Sequence, residues 1–281
     1  MNWVLLNGQI VPPEQAVVSV FDRGFLYGDS LFETVLVTRG RPFLWEQHLA
    51  RLGAGTEFLN LKSPWTTAQL TDMAARLIAV NQANTAVLRL TLSRGPGPRG
   101  YSPRLAGPPT LVMSLETARL PAPGQPSGWT LHEFKTRANG WPSLARHKTG
   151  NKLLQILARA EAENHHADEA LLTDEKGLAL ESATANLFAI QKNVLLTPPL
   201  EAGVLPGLTR ALVLRLASEL GLDSREADLP IAGLGDMEGI FLTLSTLGIV
   251  EGLALNGHPL PRSPLTRRLH QAFWAAALRE A

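Results

Sequence analysis

Leu120-Pro121-Ala122-Pro123-Gly124-Gln125-Pro126-Ser127-Gly128 decides how this chain is organised. Three prolines and two glycines in nine residues remove backbone donors and helical stiffness together, so the stretch cannot lie inside a helix or a central strand. It reads as a linker over 120–128, with one domain over 1–119 and a larger one over 129–281. The length agrees: 281 residues exceed what one small core usually organises.

Working back from the linker, Thr110 to Leu115 and Ala86 to Ser93 have strand character. Thr66 to Asn81 is a predicted helix with Leu70, Met73, Ala74, Leu77 and Ile78 as its apolar stripe. Phe43 to Leu61 is a second, and Leu31 to Val37 a strand. Trp3 to Val11 is a hairpin turning on Asn7-Gly8, a pair that tolerates positive φ. Working forward, Trp129 to Lys135 is a strand and Asn151 to Asn164 a helix. Short strands follow near 170–173, 178–180, 186–190, 194–196 and 239–244, with helices over 208–220 and 265–278. Strands and helices mix without a regular βαβ repeat. The expected class is α+β, with a small α+β first domain and a β-rich, barrel-like second domain.

Composition narrows the function. The chain is 45% hydrophobic and 18% charged, an ordinary globular mix. Lys+Arg of 26 against Asp+Glu of 25 leaves no basic excess for a nucleic-acid partner. Cysteine is absent, which removes disulfide frameworks, Cys-ligated metal and thiol nucleophiles. No apolar run reaches the roughly 18–20 residues of a membrane span, and the start lacks a basic segment followed by an apolar one. A cytoplasmic protein is expected.

Six lysines occur, and Lys148 stands apart. It follows Trp141–Ala145 and the basic pair Arg146-His147 and directly precedes a helix. Neighbouring cations lower an ammonium pKa, which an amine nucleophile needs. Glu181 ends a predicted hairpin among short polar residues, where a carboxylate needs a cationic or hydrogen-bonded partner. Gly203-Val204-Leu205-Pro206-Gly207-Leu208-Thr209-Arg210 runs into a helix whose first N–H groups could cradle phosphate. Ser245-Thr246 could add hydroxyls and Arg51 a counter-charge. The loop Ser93-Arg94-Gly95-Pro96-Gly97-Pro98-Arg99-Gly100-Tyr101 fails as a dinucleotide fingerprint, but its two arginines suit carboxylate capture. The adjacent His165-His166 point apart on a helix, so no metal site is expected. Each feature also has an ordinary capping, pairing or surface explanation.

Taken together, the segments resemble the fold-type IV pyridoxal-phosphate enzymes, the class IV aminotransferase family. The resemblance spans nearly the whole chain. It rests on Asp22-Arg23-Gly24-Phe25-Leu26-Tyr27-Gly28-Asp29-Ser30-Leu31-Phe32-Glu33-Thr34, His48-Leu49-Ala50-Arg51-Leu52 and His147-Lys148-Thr149-Gly150-Asn151. Glu181 through Asn186-Leu187-Phe188 and the 203–210 segment complete it. The resemblance implies a pyridoxal 5'-phosphate enzyme with Lys148 as the cofactor attachment point and Glu181 at the pyridine nitrogen. Arg51, the N–H groups of Leu208 and Thr209, and Ser245 or Thr246 would hold the phosphate. It further implies a homodimer and a cofactor site between the domains.

Within the family, the Arg94–Tyr101 loop looks like the 4-amino-4-deoxychorismate lyase version. D-amino-acid aminotransferases share the arginine at Arg99, but they place histidine where this chain has Tyr101 and tyrosine where it has Phe32. The implied activity is elimination of pyruvate to give 4-aminobenzoate for folate synthesis. Tyr27, Phe32, Arg94, Arg99 and Tyr101 would face a small amino substrate with a carboxylate. Two features pull the other way. Lyases often have Asn-Ser-Leu where this chain has Leu244-Ser245-Thr246, and 147–151 is intermediate between lyases and branched-chain aminotransferases. The alternatives are an aminotransferase for branched-chain or D-amino acids with a 2-oxo acid acceptor, and a non-catalytic pyridoxal-phosphate-binding protein.

Overall fold

The computed structural model describes residues 3–135 and 142–279. The chain divides into two compact units: Met1–Arg119 with His147–Lys152, and Leu120–Arg146 with Leu153–Arg279. The break after Arg119 lies at the start of the proline-rich stretch. Lys148 groups with the first unit, whereas the sequence reading places it on the second domain. Ser127 and Gly128, read as linker, are the first residues of a strand. Trp141, invoked above beside Lys148, lies outside the described residues.

In the first unit, strands Val4–Leu6 (β1), Gln9–Val11 (β2), Ser30–Thr38 (β3), Arg41–Pro42 (β4), Ala86–Ser93 (β5) and Thr110–Thr117 (β6) form an antiparallel sheet. Its order is β2-β1-β6-β5-β3-β4. Asn7 and Gly8 take φ of 50° and 87°, the conformation a two-residue hairpin turn demands. The short helix Arg23–Tyr27 (α1) precedes β3, and Trp45–Phe58 (α2) and Thr67–Val80 (α3) cover the sheet. Thr66 and Gln69 form a reciprocal capping box at the start of α3. Leu31, Val35, Leu88, Leu90 and Met113 from the sheet pack with Leu49, Leu52, Leu70 and Leu77 from the helices. Burial of such side chains contributes roughly 1.5–3 kcal/mol each before entropy is counted.

In the second unit, Ser127–Lys135 (β7), Glu169–Thr173 (β8), Leu178–Ser182 (β9), Asn186–Gln191 (β10), Val194–Thr197 (β11), Ser224–Glu226 (β12), Leu229–Pro230 (β13), Gly239–Leu244 (β14), Gly248–Leu255 (β15) and His258–Pro259 (β16) join one sheet. Because β9 pairs with β10, the strands β10-β14-β15-β7-β8-β9 close on themselves. This is the barrel-like architecture expected from the sequence. Leu131, Leu171, Ala179, Leu187, Ala189, Ile240 and Leu242 belong to one buried cluster of this sheet. Helices Pro142–Ala145 (α4), Leu153–Asn164 (α5), Leu208–Glu219 (α6) and Pro264–Arg279 (α7) complete the unit. The sequence reading overlooked β15. It pairs antiparallel with β14 and parallel with β7, and its first five residues are buried. Burial on both sides erases the alternation that marks a half-exposed strand.

Candidate active site

In the first unit the candidate site is built on β3. Alternation places Phe32 and Thr34 on one face of that strand and Leu31, Glu33 and Val35 on the core face. A carboxylate aimed into a leucine core needs partners, and α2 supplies two. His48 and Arg51 are three residues apart, so they meet the same surface. Arg51 donates through Nε to Glu33 Oε1 at 2.9 Å and through Nη2 to Oε2 at 2.6 Å, while His48 Nδ1 lies 2.6 Å from Oε2. Glu33 is 1% exposed. Burial pushes its carboxyl up, but the hydrogen bonds and charges of Arg51 and His48 outweigh this and hold it below the usual carboxylate value. For His48 burial is the largest effect and lowers the pKa. The bond to Glu33 opposes that, and the charges of Arg51 and Lys148 reinforce it. With Glu33 ionised, Nδ1 carries the imidazole proton and donates.

Lys148 is held against the same strand by backbone pairing. Its carbonyl accepts from the Phe32 N–H at 2.9 Å, and the Gly150 N–H donates to the Ser30 carbonyl at 2.8 Å. A Cβ at Gly150 would lie 2.1 Å from Ser30 Oγ, so a larger residue there would force that side chain to move. Lys148 Nζ sits 4.6 Å from the centre of the Phe32 ring. Lys152 Nζ approaches the same ring at 5.9 Å and Arg89 Cζ at 4.1 Å. Arg89 faces this way because it pairs with Thr34 in the β3–β5 register. Burial lowers its pKa, against the charge of Glu116. Its guanidinium has no hydrogen bond among the described residues. Three cationic side chains therefore gather on one aromatic ring.

The loop arginines separate into two kinds. Arg94 donates from Nε to Asp29 Oδ2 at 2.8 Å, from Nη1 to the Asn60 carbonyl at 3.0 Å and from Nη2 to the Leu59 carbonyl at 2.8 Å. Arg94 thereby fastens the loop to its own scaffold. Arg23 does likewise, bonding Asp29 and the carbonyls of Gly100, Tyr101 and Ser102. Burial raises the Asp29 pKa, but the two arginines outweigh it and leave it lowered. Arg99, by contrast, is exposed and has no ion pair among the described residues. Tyr27 stacks edge-on with Tyr101 at 5.5 Å, and its hydroxyl accepts from the Gly100 N–H. Tyr101 is 86% exposed.

In the second unit, Glu181 on β9 pairs with Asn186, the first residue of β10. Glu181 Oε2 accepts from Asn186 Nδ2 and from the Leu205 N–H, each at 3.0 Å. Asn186 Nδ2 also donates to the Leu205 carbonyl at 2.8 Å. That bond fixes the 203–207 segment ahead of α6. Gly207 is the N-cap and gives α6 no side-chain cap. A Cβ there would lie 1.9 Å from Asn186 Oδ1. Leu208 and Thr209 open α6, so their N–H groups belong to the uncapped first turn. Ser245 and Thr246 lie in the turn from β14 to β15. The buried hydroxyl of Thr243, beside Asn186 in the register, has no hydrogen-bond partner among the described residues.

These donors suit a phosphorylated pyridine cofactor. An uncapped helix start and nearby hydroxyls accommodate phosphate, and a hydrogen-bonded carboxylate suits a protonated ring nitrogen. Sequence alone gives Glu33 and Lys152 no binding role and does not single out Arg89. The available signals were an acid inside an apolar strand and a basic residue on the alternate face of another.

The family model described as "Amino-transferase class IV" matches residues 30–254. The chain belongs to this family of pyridoxal-phosphate enzymes. Among curated relatives, a "Putative branched-chain-amino-acid aminotransferase" of Methanocaldococcus jannaschii is 31% identical, covering 96% of this chain and 94% of the relative. The aminodeoxychorismate lyase of Vibrio harveyi is also 31% identical, covering 91% and 95%. Among solved structures, the Escherichia coli branched-chain amino acid aminotransferase superposes with a TM-score of 0.90 at 26% identity. It covers 98% of this chain and 94% of that one. Among the described residues no helix is long and apolar enough to cross a membrane, and no three or more His, Cys, Asp or Glu side chains cluster as metal ligands would.

Proposed function

We propose that this enzyme is a lyase that removes pyruvate from 4-amino-4-deoxychorismate, leaving 4-aminobenzoate. The observation that carries this reading is the cationic surround of Phe32. A branched aliphatic side chain would be poorly matched to a ring flanked by Arg89, Lys148 and Lys152. The proposed substrate carries two carboxylates, and Arg89 and Lys152 suit them, with exposed Arg99 as a further candidate. The glycine-rich loop ending in Arg99-Gly100-Tyr101 agrees with this reading.

When bound, pyridoxal phosphate supplies an aldehyde for the substrate amine and a ring that accepts an electron pair. Lys148 is the attachment residue. Its Nζ would take the proton from the amine-bearing carbon. The allylic C–O bond then breaks, the enolpyruvyl oxygen leaves with the bonding pair and is protonated, and the carbocycle becomes aromatic. Glu181 would hold the proton on the ring nitrogen. Arg51, the Leu208 and Thr209 N–H groups, and Ser245 or Thr246 would be the residues to hold the phosphate. No amino group is retained, so no oxo-acid is consumed.

The second reading, an aminotransferase, is favoured by the relative from M. jannaschii and by Leu244 standing where lyases often carry asparagine. One assay separates the two. With 4-amino-4-deoxychorismate as the sole substrate, repeated release of pyruvate and 4-aminobenzoate in equal amounts is expected. No release, with rapid exchange between a branched-chain or D-amino acid and 2-oxoglutarate, would overturn the lyase.

A further inference from the structure

We propose that Glu33 is a positioning residue that fixes the Arg51 guanidinium for the cofactor phosphate, with His48 as the second anchor. This rests on the reading of Arg51 as a phosphate ligand.

The burial of Glu33 would be unfavourable without its partners. Glu33 is on the core face of β3, among leucines, where an unpaired carboxylate is strongly disfavoured. It is tolerated because it accepts three short hydrogen bonds, two from Arg51 and one from His48. A guanidinium gripped through both Nε and Nη2 has lost rotation about its last bonds. The direction of its Nη1 group is thereby set before any ligand arrives. His48, itself 2% exposed, contacts the same Oε2 that receives Arg51 Nη2, so it prevents the carboxylate from turning. Glu33 and His48 are thus assigned to act through Arg51.

Charge and geometry make opposite forecasts here. Glu33 offsets one unit of positive charge beside the phosphate ligand. If that were its whole effect, Glu33→Gln would tighten phosphate binding. If Glu33 positions Arg51, the same change loosens it, because an amide presents one acceptor and one N–H donor where two acceptors are needed. Glu33→Asp keeps the charge but is one methylene too short to span Arg51 and His48 together.

The test measures affinity of the full-length protein for pyridoxal phosphate and for pyridoxal, which lacks the phosphate, by absorbance titration after cofactor removal. Expected for Glu33→Gln and Glu33→Asp is a loss of about 10- to 100-fold for pyridoxal phosphate, with pyridoxal little changed. His48→Ala should lose part of this. His48→Asn, whose amide can donate from near the Nδ1 position, should recover it. The two His48 variants decide the matter if the Glu33 variants do not fold. Tighter pyridoxal phosphate binding, equal losses for both ligands, or His48→Asn no better than His48→Ala would overturn the proposal. Arg51→Met is the separate control. If it leaves the preference for the phosphorylated ligand intact, the underlying assignment of Arg51 fails instead.

Discussion

Removing the Asp29 carboxylate should release the Ser93–Tyr101 loop and cost the first unit a measurable share of its stability. One oxygen of Asp29, Oδ2, accepts from Arg23 Nε at 2.9 Å and from Arg94 Nε at 2.8 Å. The three side chains are only 4%, 11% and 16% exposed for Arg23, Arg94 and Asp29, so solvent screens the pairs weakly. Asp29→Asn keeps a carbonyl that can still accept both bonds and loses only charge assistance, about 1–2 kcal/mol. Asp29→Ala leaves two poorly hydrated guanidiniums without their anion, about 3–5 kcal/mol. At roughly 2–4 °C per kcal/mol, Tm should fall by about 6–20 °C in the alanine variant. Calorimetry at neutral pH reads this, and limited proteolysis reads loosening near Gly100. The pH dependence has a definite sign. Because the folded-state pKa of Asp29 is lowered, its contribution is complete above the unfolded carboxylate value, about 3.9. It is lost as pH falls through the folded value. The gap between native and Asp29→Ala protein should therefore narrow below about pH 4. A destabilisation under about 1 kcal/mol, or a gap that persists to about pH 2, would refute the reasoning.

Borohydride reduction of the yellow holoenzyme, followed by peptide mapping, should label Lys148, and a label on Lys152 would move the attachment point. Glu181→Gln should retain cofactor but slow turnover by roughly 10²-fold or more, since an amide stabilises a protonated ring nitrogen poorly; unchanged turnover would make Glu181 structural. Arg89→Met should raise KM for a carboxylate substrate by about 10-fold or more with the cofactor spectrum unaltered, and a normal KM would exclude it from substrate binding. His270 on α7 is 0% exposed, and its two ring nitrogens face the N–H groups of Gly124 at 3.0 Å and Trp274 at 2.9 Å. A neutral ring accepts at only one of these nitrogens, and an added proton would remove that acceptor; burial pushes its pKa down to about 4. Its contribution is therefore complete above about 6.5 and lost as pH falls towards 4. A flatter stability profile across that window is expected for His270→Gln, and an identical slope in native and variant proteins would count against it.

Local chemistry determined much of this protein directly. Proline and glycine density marked the break after residue 119, and Asn7-Gly8 set its hairpin because both signals act through backbone conformation. Periodic leucines placed α2 and α3, since a helix face needs only neighbours three and four residues away. The uncapped start of α6 was visible as Leu205-Pro206-Gly207 before Leu208. Other features depended on partners distant in the chain. Arg94 and Arg99 look alike in a glycine-rich loop, yet Asp29, Leu59 and Asn60 engage Arg94 and leave Arg99 in solvent. Arg89 reads as an ordinary strand residue until the β3–β5 register brings it to Phe32. Lys148 belongs to the unit its backbone pairs with, through Phe32 and Ser30, rather than to the one nearest in sequence. Glu33 is a disfavoured acid in an apolar strand until α2 packs His48 and Arg51 against it. Sequence spacing shows what a backbone segment can become, but pairings across 15 or more residues arise only when the core brings their elements together.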